Sequence, residues 1–116
     1  MKKTIAGLAI AGAALIGASP AFAMEVYSPS AHVGAWTESN DTKVAVMLHQ
    51  QGIFGYSNYY RTTDSGSYYT LWNKTGRNGS VVYSNNGGRV TDMRACKYIK
   101  GDDYDNDECG KWEVRG

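Results

Sequence analysis

The chain is poor in the residues that build reactive centres. Its 116 residues include only two histidines, His32 and His49, and two cysteines, Cys96 and Cys109. His32 falls on the polar side of an alternating segment and His49 closes one before Gln50-Gln51-Gly52, so neither stands among convergent groups. A zinc site using both would need a third ligand, which no residue marks. Neither G-x-S-x-G nor H-E-x-x-H occurs. These absences point away from an enzyme. Helical periodicity is missing too, because no segment repeats its apolar residues at helical spacing.

An excess of one charge is also lacking. Twelve basic and eleven acidic residues leave a formal charge of +1. Without Lys2 and Lys3 the balance is 12 − 2 = 10 basic against 11 acidic residues, a charge of −1. That excludes the basic footprint expected for nucleic-acid binding and the polybasic signal of a membrane surface.

The one long apolar stretch, Ile5 to Ala18, follows Lys2 and Lys3 and precedes Ser19-Pro20-Ala21-Phe22-Ala23. A positive start, a short apolar run and small residues at Ala21 and Ala23 form the pattern of a Sec-type signal peptide. The run is too short to favour a permanent membrane span. Residues 1–23 are therefore expected to be removed. Residues 24–116, numbering 116 − 23 = 93, form a single secreted domain with no membrane association.

In an oxidising compartment two thiols are expected to pair, and within a monomer only Cys96–Cys109 is available. Closing a loop of that length stabilises by about 3 kcal/mol in the loop-entropy account.

After residue 24 the pattern alternates with period two. Ala31, Val33 and Ala35 share a face opposite His32 and Trp36, and Val44, Val46 and Leu48 alternate with Ala45 and Met47. Ser39-Asn40-Asp41-Thr42 between them is turn chemistry, so the pair reads as a hairpin. "YSNYYRTT" and "YYTLWN" read as a second pair. "KTGRNGS" is expected to close a further hairpin through Asn78-Gly79. "VVYS", the long "RVTDMRACKYI" and a final "KWEVR" complete the series. The expected fold is all-β: a small antiparallel β-sandwich, or a partly open barrel, of six to seven strands with one disulfide. Asn40, Asn73 and Asn78 head Asn-x-Ser/Thr triplets, and turn chemistry accounts for them.

Two segments are candidates for sites. Asp102, Asp103, Asp105, Asp107 and Glu108 crowd together between the cysteines. Asp103, Asp105 and Asp107 have the spacing that opens an EF-hand loop, but Glu108 stands where glycine makes the turn and Val114 where a bidentate Glu is needed. An EF-hand is excluded. A solvated turn without a cofactor is the favoured reading, and an irregular Ca²⁺ site is the alternative. Six of the nine tyrosines lie between Tyr56 and Tyr83. Consecutive tyrosines on a strand point to opposite faces, so one of each pair is expected outward; Tyr56, Tyr59, Tyr60, Tyr68 and Tyr69, in part exposed, are candidates for a binding surface, and cross-strand pairing that only stabilises the sheet is the plainer reading. Trp112 and Val114 are expected to pack inward beside Cys109.

The stretch from Tyr69 to Trp112 resembles a group of small secreted proteins of actinomycetes. The likeness rests on Leu71, Trp72, Asn73, Gly76, Arg89, Val90, Arg94, Cys96, the Asp102–Asp107 run, Cys109 and Trp112. It implies an exported, disulfide-closed β-domain and no particular activity. Together these readings describe a monomeric, non-enzymatic binding protein whose partner is an extracellular protein or glycan. A secreted enzyme inhibitor or antibacterial toxin-like protein is the rival reading, since a stapled loop loses little entropy on docking.

Overall fold

The computed structural model describes residues 24–62, 66–100 and 106–114. The described residues form nine strands: β1 (Glu25–Tyr27), β2 (Val33–Glu38), β3 (Lys43–Leu48), β4 (Gly55–Arg61), β5 (Tyr69–Asn73), β6 (Val81–Tyr83), β7 (Val90–Lys97), β8 (Glu108–Cys109) and β9 (Glu113–Val114). They make two antiparallel sheets, one ordered β1-β2-β3-β6 and the other β5-β4-β7-β8, with β9 also on β7. Neither sheet closes on itself, so the fold is a sandwich rather than a barrel.

Alternation explains the core. Val33 and Ala35 from β2, Val44, Val46 and Leu48 from β3, and Tyr59, Val90, Met93 and Ala95 from β4 and β7 fill the space between the sheets. On β2 and β3 these are the positions that the period of two assigns to one face, and on β7 a register shift opposite Tyr60 and Arg61 brings Val90 to the same side as Met93 and Ala95. Gly55 lets the sheets approach closely, because a Cβ there would come within 2.6 Å of the Val33 side chain. Asn73, fully buried, straps one sheet to the other. Its Nδ2 donates to the carbonyls of Val46 (3.0 Å) and Ser80 (3.1 Å), and its Oδ1 accepts from the backbone N–H (3.2 Å) and hydroxyl (2.9 Å) of Thr75. With its amide nitrogen so engaged, Asn73 serves the fold.

The hairpin of β2 and β3 forms as expected, with Glu38 opposite Lys43. Its turn places Ser39, Asn40 and Asp41 at positive φ (56°, 60° and 67°), a left-handed conformation that Asn and Asp tolerate best.

Two expectations need correction. "KTGRNGS" does not close a hairpin: β5 and β6 belong to different sheets, and β6 pairs with β3 instead. The segment is a crossover, held by bonds such as Gly52 N–H to the Gly76 carbonyl (2.8 Å) and Gly79 N–H to the Leu48 carbonyl (2.7 Å). Val114 does not pack inward, being 63% exposed. The C-terminal segment touches β7 twice, at Cys96–Cys109 and again at Asp92–Val114. The interruption between these contacts swings Trp112 onto the outer face of the five-stranded sheet.

Candidate functional site: an aromatic cleft on the outer sheet face

Register decides which side chains meet on that outer face. Tyr56 lies opposite Trp72 and Cys96, and Asn58 opposite Thr70 and Arg94. Being two residues apart on β4, Tyr56, Asn58 and Tyr60 all point away from the core. The face is concave, with a cleft of about 590 Å³ lined by Tyr56, Asn58, Tyr68, Thr70, Trp72, Arg94, Asp107 and Cys109. That volume lies within the range of roughly 300–1,000 Å³ usual for small-ligand sites.

A polar relay crosses the centre. Arg94 Nε donates to Asn58 Oδ1 (2.9 Å), and Asn58 Nδ2 donates to Thr70 Oγ1 (3.0 Å). Both functional ends of the Asn58 amide are thereby used, which fixes its orientation. The guanidinium of Arg94 also stacks over Trp112, 5.0 Å from the ring centroid. Among the described residues its two Nη groups have no hydrogen-bond partner, and they are the donors available to a ligand.

Aromatic rings flank the relay on both sides. At one end Tyr60, Tyr68 and Trp112 form a mutual cluster with centroids 5.4–6.1 Å apart. At the other, Tyr56 packs on Trp72 (4.4 Å), Trp72 on Tyr98 (5.8 Å) and Tyr98 on Phe54 (6.3 Å). Such tilted and offset contacts hold the rings rigid at separations that favour aromatic pairs. Lys74 lies over Trp72, 4.8 Å from its centroid.

The Cys96 and Cys109 sulfurs are 2.11 Å apart, at disulfide distance, and this pair ties the wall of the cleft to its floor. Tyr56 donates its hydroxyl to Asp107 Oδ2 (2.5 Å), while Asp107 Oδ1 accepts the Ile99 N–H (2.9 Å). Burial, then the hydrogen bond from Tyr56 to this carboxylate, pushes the Tyr56 phenol above its ordinary range. Asp107 is thus a wall of the cleft with both oxygens bonded. Asp103 and Asp105, its companions in the expected calcium loop, lie outside the described residues. Among the described residues no three His, Cys, Asp or Glu side chains gather as metal ligands do.

The five tyrosines marked in the sequence separate. Tyr56, Tyr60 and Tyr68 belong to the aromatic face; Tyr56 is covered there by its neighbours, and Tyr68 is 47% exposed. Tyr59 and Tyr69 lie on the opposite side of the sheet, as the alternation of consecutive tyrosines requires. Tyr59 is a core residue, Tyr69 stacks on it at the sheet edge (5.5 Å), and Arg61 lies over both rings (5.3 and 5.4 Å). Trp112, assigned to the interior from the sequence, joins the face. Asn58, Thr70, Trp72 and Arg94 were not singled out as site residues, although pairing "YSNYY" antiparallel with "YYTLW" and projecting alternate residues would have found the first three.

Comparison with protein-family profiles, with curated proteins and with solved structures finds no match. The chemistry of the cleft is therefore the guide to what it does.

Proposed function

We propose that the protein is a small exported binding module without catalytic activity, and that its outer sheet face takes a saccharide. The observation behind this reading is the polar Arg94–Asn58–Thr70 relay set between two groups of aromatic rings in one open cleft. A pyranose ring has an apolar C–H face and a rim of vicinal hydroxyls. Rigid tyrosine and tryptophan faces suit the first, and Arg94, with Nη donors held in a planar fork, suits the second. The half-buried rings provide contact area at small entropic cost, since they are already packed on one another.

The non-catalytic reading has its own support. Glycoside hydrolysis uses two carboxyl groups roughly 5–10 Å apart. Among the described residues the cleft is lined by one, Asp107, and both of its oxygens are already bonded.

The test is binding of a chain spanning residues 24–116 to a panel of soluble oligosaccharides and insoluble polysaccharides, followed by tryptophan fluorescence. Trp112→Ala and Arg94→Ala are each expected to weaken binding about tenfold or more, the size of loss that hot-spot aromatics and arginines show. Tyr83→Ala is the control, since Tyr83 is 48% exposed on the other sheet. If no saccharide binds, or if Tyr83→Ala weakens binding as much as Trp112→Ala, the reading fails.

A further inference from the structure

Strand register sorts the outer face of the five-stranded sheet into rows. One row carries Trp72 and Tyr56 beside Cys96, and the next carries Thr70, Asn58 and Arg94. A third follows two residues further along β4, where Tyr60 meets Tyr68 (5.8 Å between ring centroids) and Trp112 (5.4 Å). Along β4 the surface therefore runs aromatic, polar, aromatic. Tyr56 and Tyr60 are four residues apart on one strand, which sets the two aromatic rows about 13 Å apart at ~3.3 Å per residue. A single pyranose occupies a length close to the spacing of neighbouring strands, ~5 Å. It can reach one aromatic row and not both.

The middle row is made of donors. Thr70 Oγ1 accepts from Asn58 Nδ2 at 3.0 Å, which leaves its own hydroxyl proton to give. Arg94 uses Nε on Asn58. Among the described residues no acceptor takes the Thr70 proton or those of the Arg94 Nη groups, and sugar hydroxyl oxygens are acceptors of the right kind. The end rows are fixed platforms. Trp72 is half-buried and braced by Tyr56 (4.4 Å) and Tyr98 (5.8 Å). Trp112, also half-buried, is braced by Tyr60 and by the Arg94 guanidinium, 5.0 Å from its centroid. Rings held in this way need little ordering when a ligand arrives.

We infer that the cleft has three subsites and takes a linear oligosaccharide of at least three units laid along β4, with outer rings stacked on Trp72 and Trp112 and the middle ring hydrogen-bonded to Arg94 and Thr70. This rests on the saccharide reading above and adds to it the length and direction of the ligand. A chain that covers both aromatic rows makes its second stacking contact intramolecularly, at a high effective concentration, whereas a monosaccharide makes only one. Affinity must then climb with chain length until both tryptophans are covered.

All nine strands lie within residues 24–114, so residues 24–116 hold the whole described fold. The test is calorimetric titration of that chain with cello-, xylo- and N-acetylated chito-oligosaccharides of one to six units. In the series that binds, affinity is expected to rise about tenfold or more between one unit and three, the size of effect that one aromatic hot spot gives. Trp72→Leu and Trp112→Leu keep apolar bulk and lose the flat ring, and each is expected to bring the trimer to within about threefold of the monomer. A merely structural tryptophan would lower all lengths alike and leave that ratio unchanged. A monomer that binds as well as the trimer, or a length gain that survives either substitution, would overturn the three subsites while leaving the saccharide reading in place. Silence from all three series and from the wider saccharide panel would bring down both. Should Trp72→Leu fail to fold, as circular dichroism would show, the length series of the unsubstituted chain and Trp112→Leu still decide.

Discussion

Replacing Asn73 by alanine removes the buried strap between the sheets. Four hydrogen bonds of 3.2 Å or less are lost together. The two donated by Nδ2 reach backbone carbonyls, and at roughly 1–1.5 kcal/mol each they account for about 2–3 kcal/mol. The two accepted from Thr75 lie nearer water, which can replace them, so they add about 1 kcal/mol in total. The expected loss is ~3–4 kcal/mol, a large part of the roughly 5–15 kcal/mol typical of a whole domain. In thermal terms that is about 12–30 °C, taking ~4–8 °C for each kcal/mol in a domain of this size. Urea unfolding of residues 24–116, followed by circular dichroism, reads the change as a lower midpoint at unchanged slope. Asn73→Asp should cost at least as much, because an oxygen would then face the carbonyls of Val46 and Ser80. Asn78→Ala is the internal control: Asn78 is exposed and its backbone N–H bonds Gln51, so the cost should stay within about 0.5 kcal/mol. A loss at Asn73 below about 1 kcal/mol, or no greater than at Asn78, would refute the idea that this side chain couples the sheets.

Two further outcomes are expected. Joint Cys96→Ala and Cys109→Ala substitution should lower stability by about 3 kcal/mol, because the bridge closes a loop with a sequence separation of 13. Thermal unfolding checks this, and an unchanged midpoint would contradict it. For Tyr56, the folded state holds the phenol neutral above the ordinary range through burial and the Asp107 hydrogen bond. Its contribution is therefore complete below pH ~10 and is lost as the pH rises beyond that value, where the unfolded chain ionises first. Tyr56→Phe should flatten the fall of stability above pH ~10, measured by denaturant midpoints across an alkaline series, and a steeper fall would refute the assignment.

The residues that announced the fold are those whose environment is local. Val33, Ala35, Val44, Val46 and Leu48 betray a buried face by alternation alone, and Ser39-Asn40-Asp41 betrays the turn that joins their strands. The partition into two sheets was not legible. Asn78-Gly79 is good turn chemistry whether the chain doubles back or crosses to the other sheet, and only the bonds to Leu48 and Gly52 decide. The two shortest surprises, β1 and β8, are too brief to show a period, and β8 begins with a charged residue. Alternation also said that one tyrosine of each pair faces outward without saying which. Register with β5 and β7 chose Tyr56 and Tyr60 over Tyr59. Trp112 was assigned inward because a two-residue strand has no phase from which to project its neighbours, and the break between β8 and β9 turned it over Arg94.

The position of β7 bears on the order in which the molecule can assemble. It is the centre of its sheet, flanked by β4 on one side and by β8 and β9 on the other, yet it is made from residues late in the chain. Ser57 pairs nearby with Leu71 and Val46 with Ala35, but on their other sides they must wait for Ala95 and Val82. Pairings so distant impose loop-closure costs that slow folding relative to locally connected proteins. The local β2–β3 and β4–β5 pairs can form early, but the sheet that carries the cleft is complete only once β7, β8 and β9 have been made.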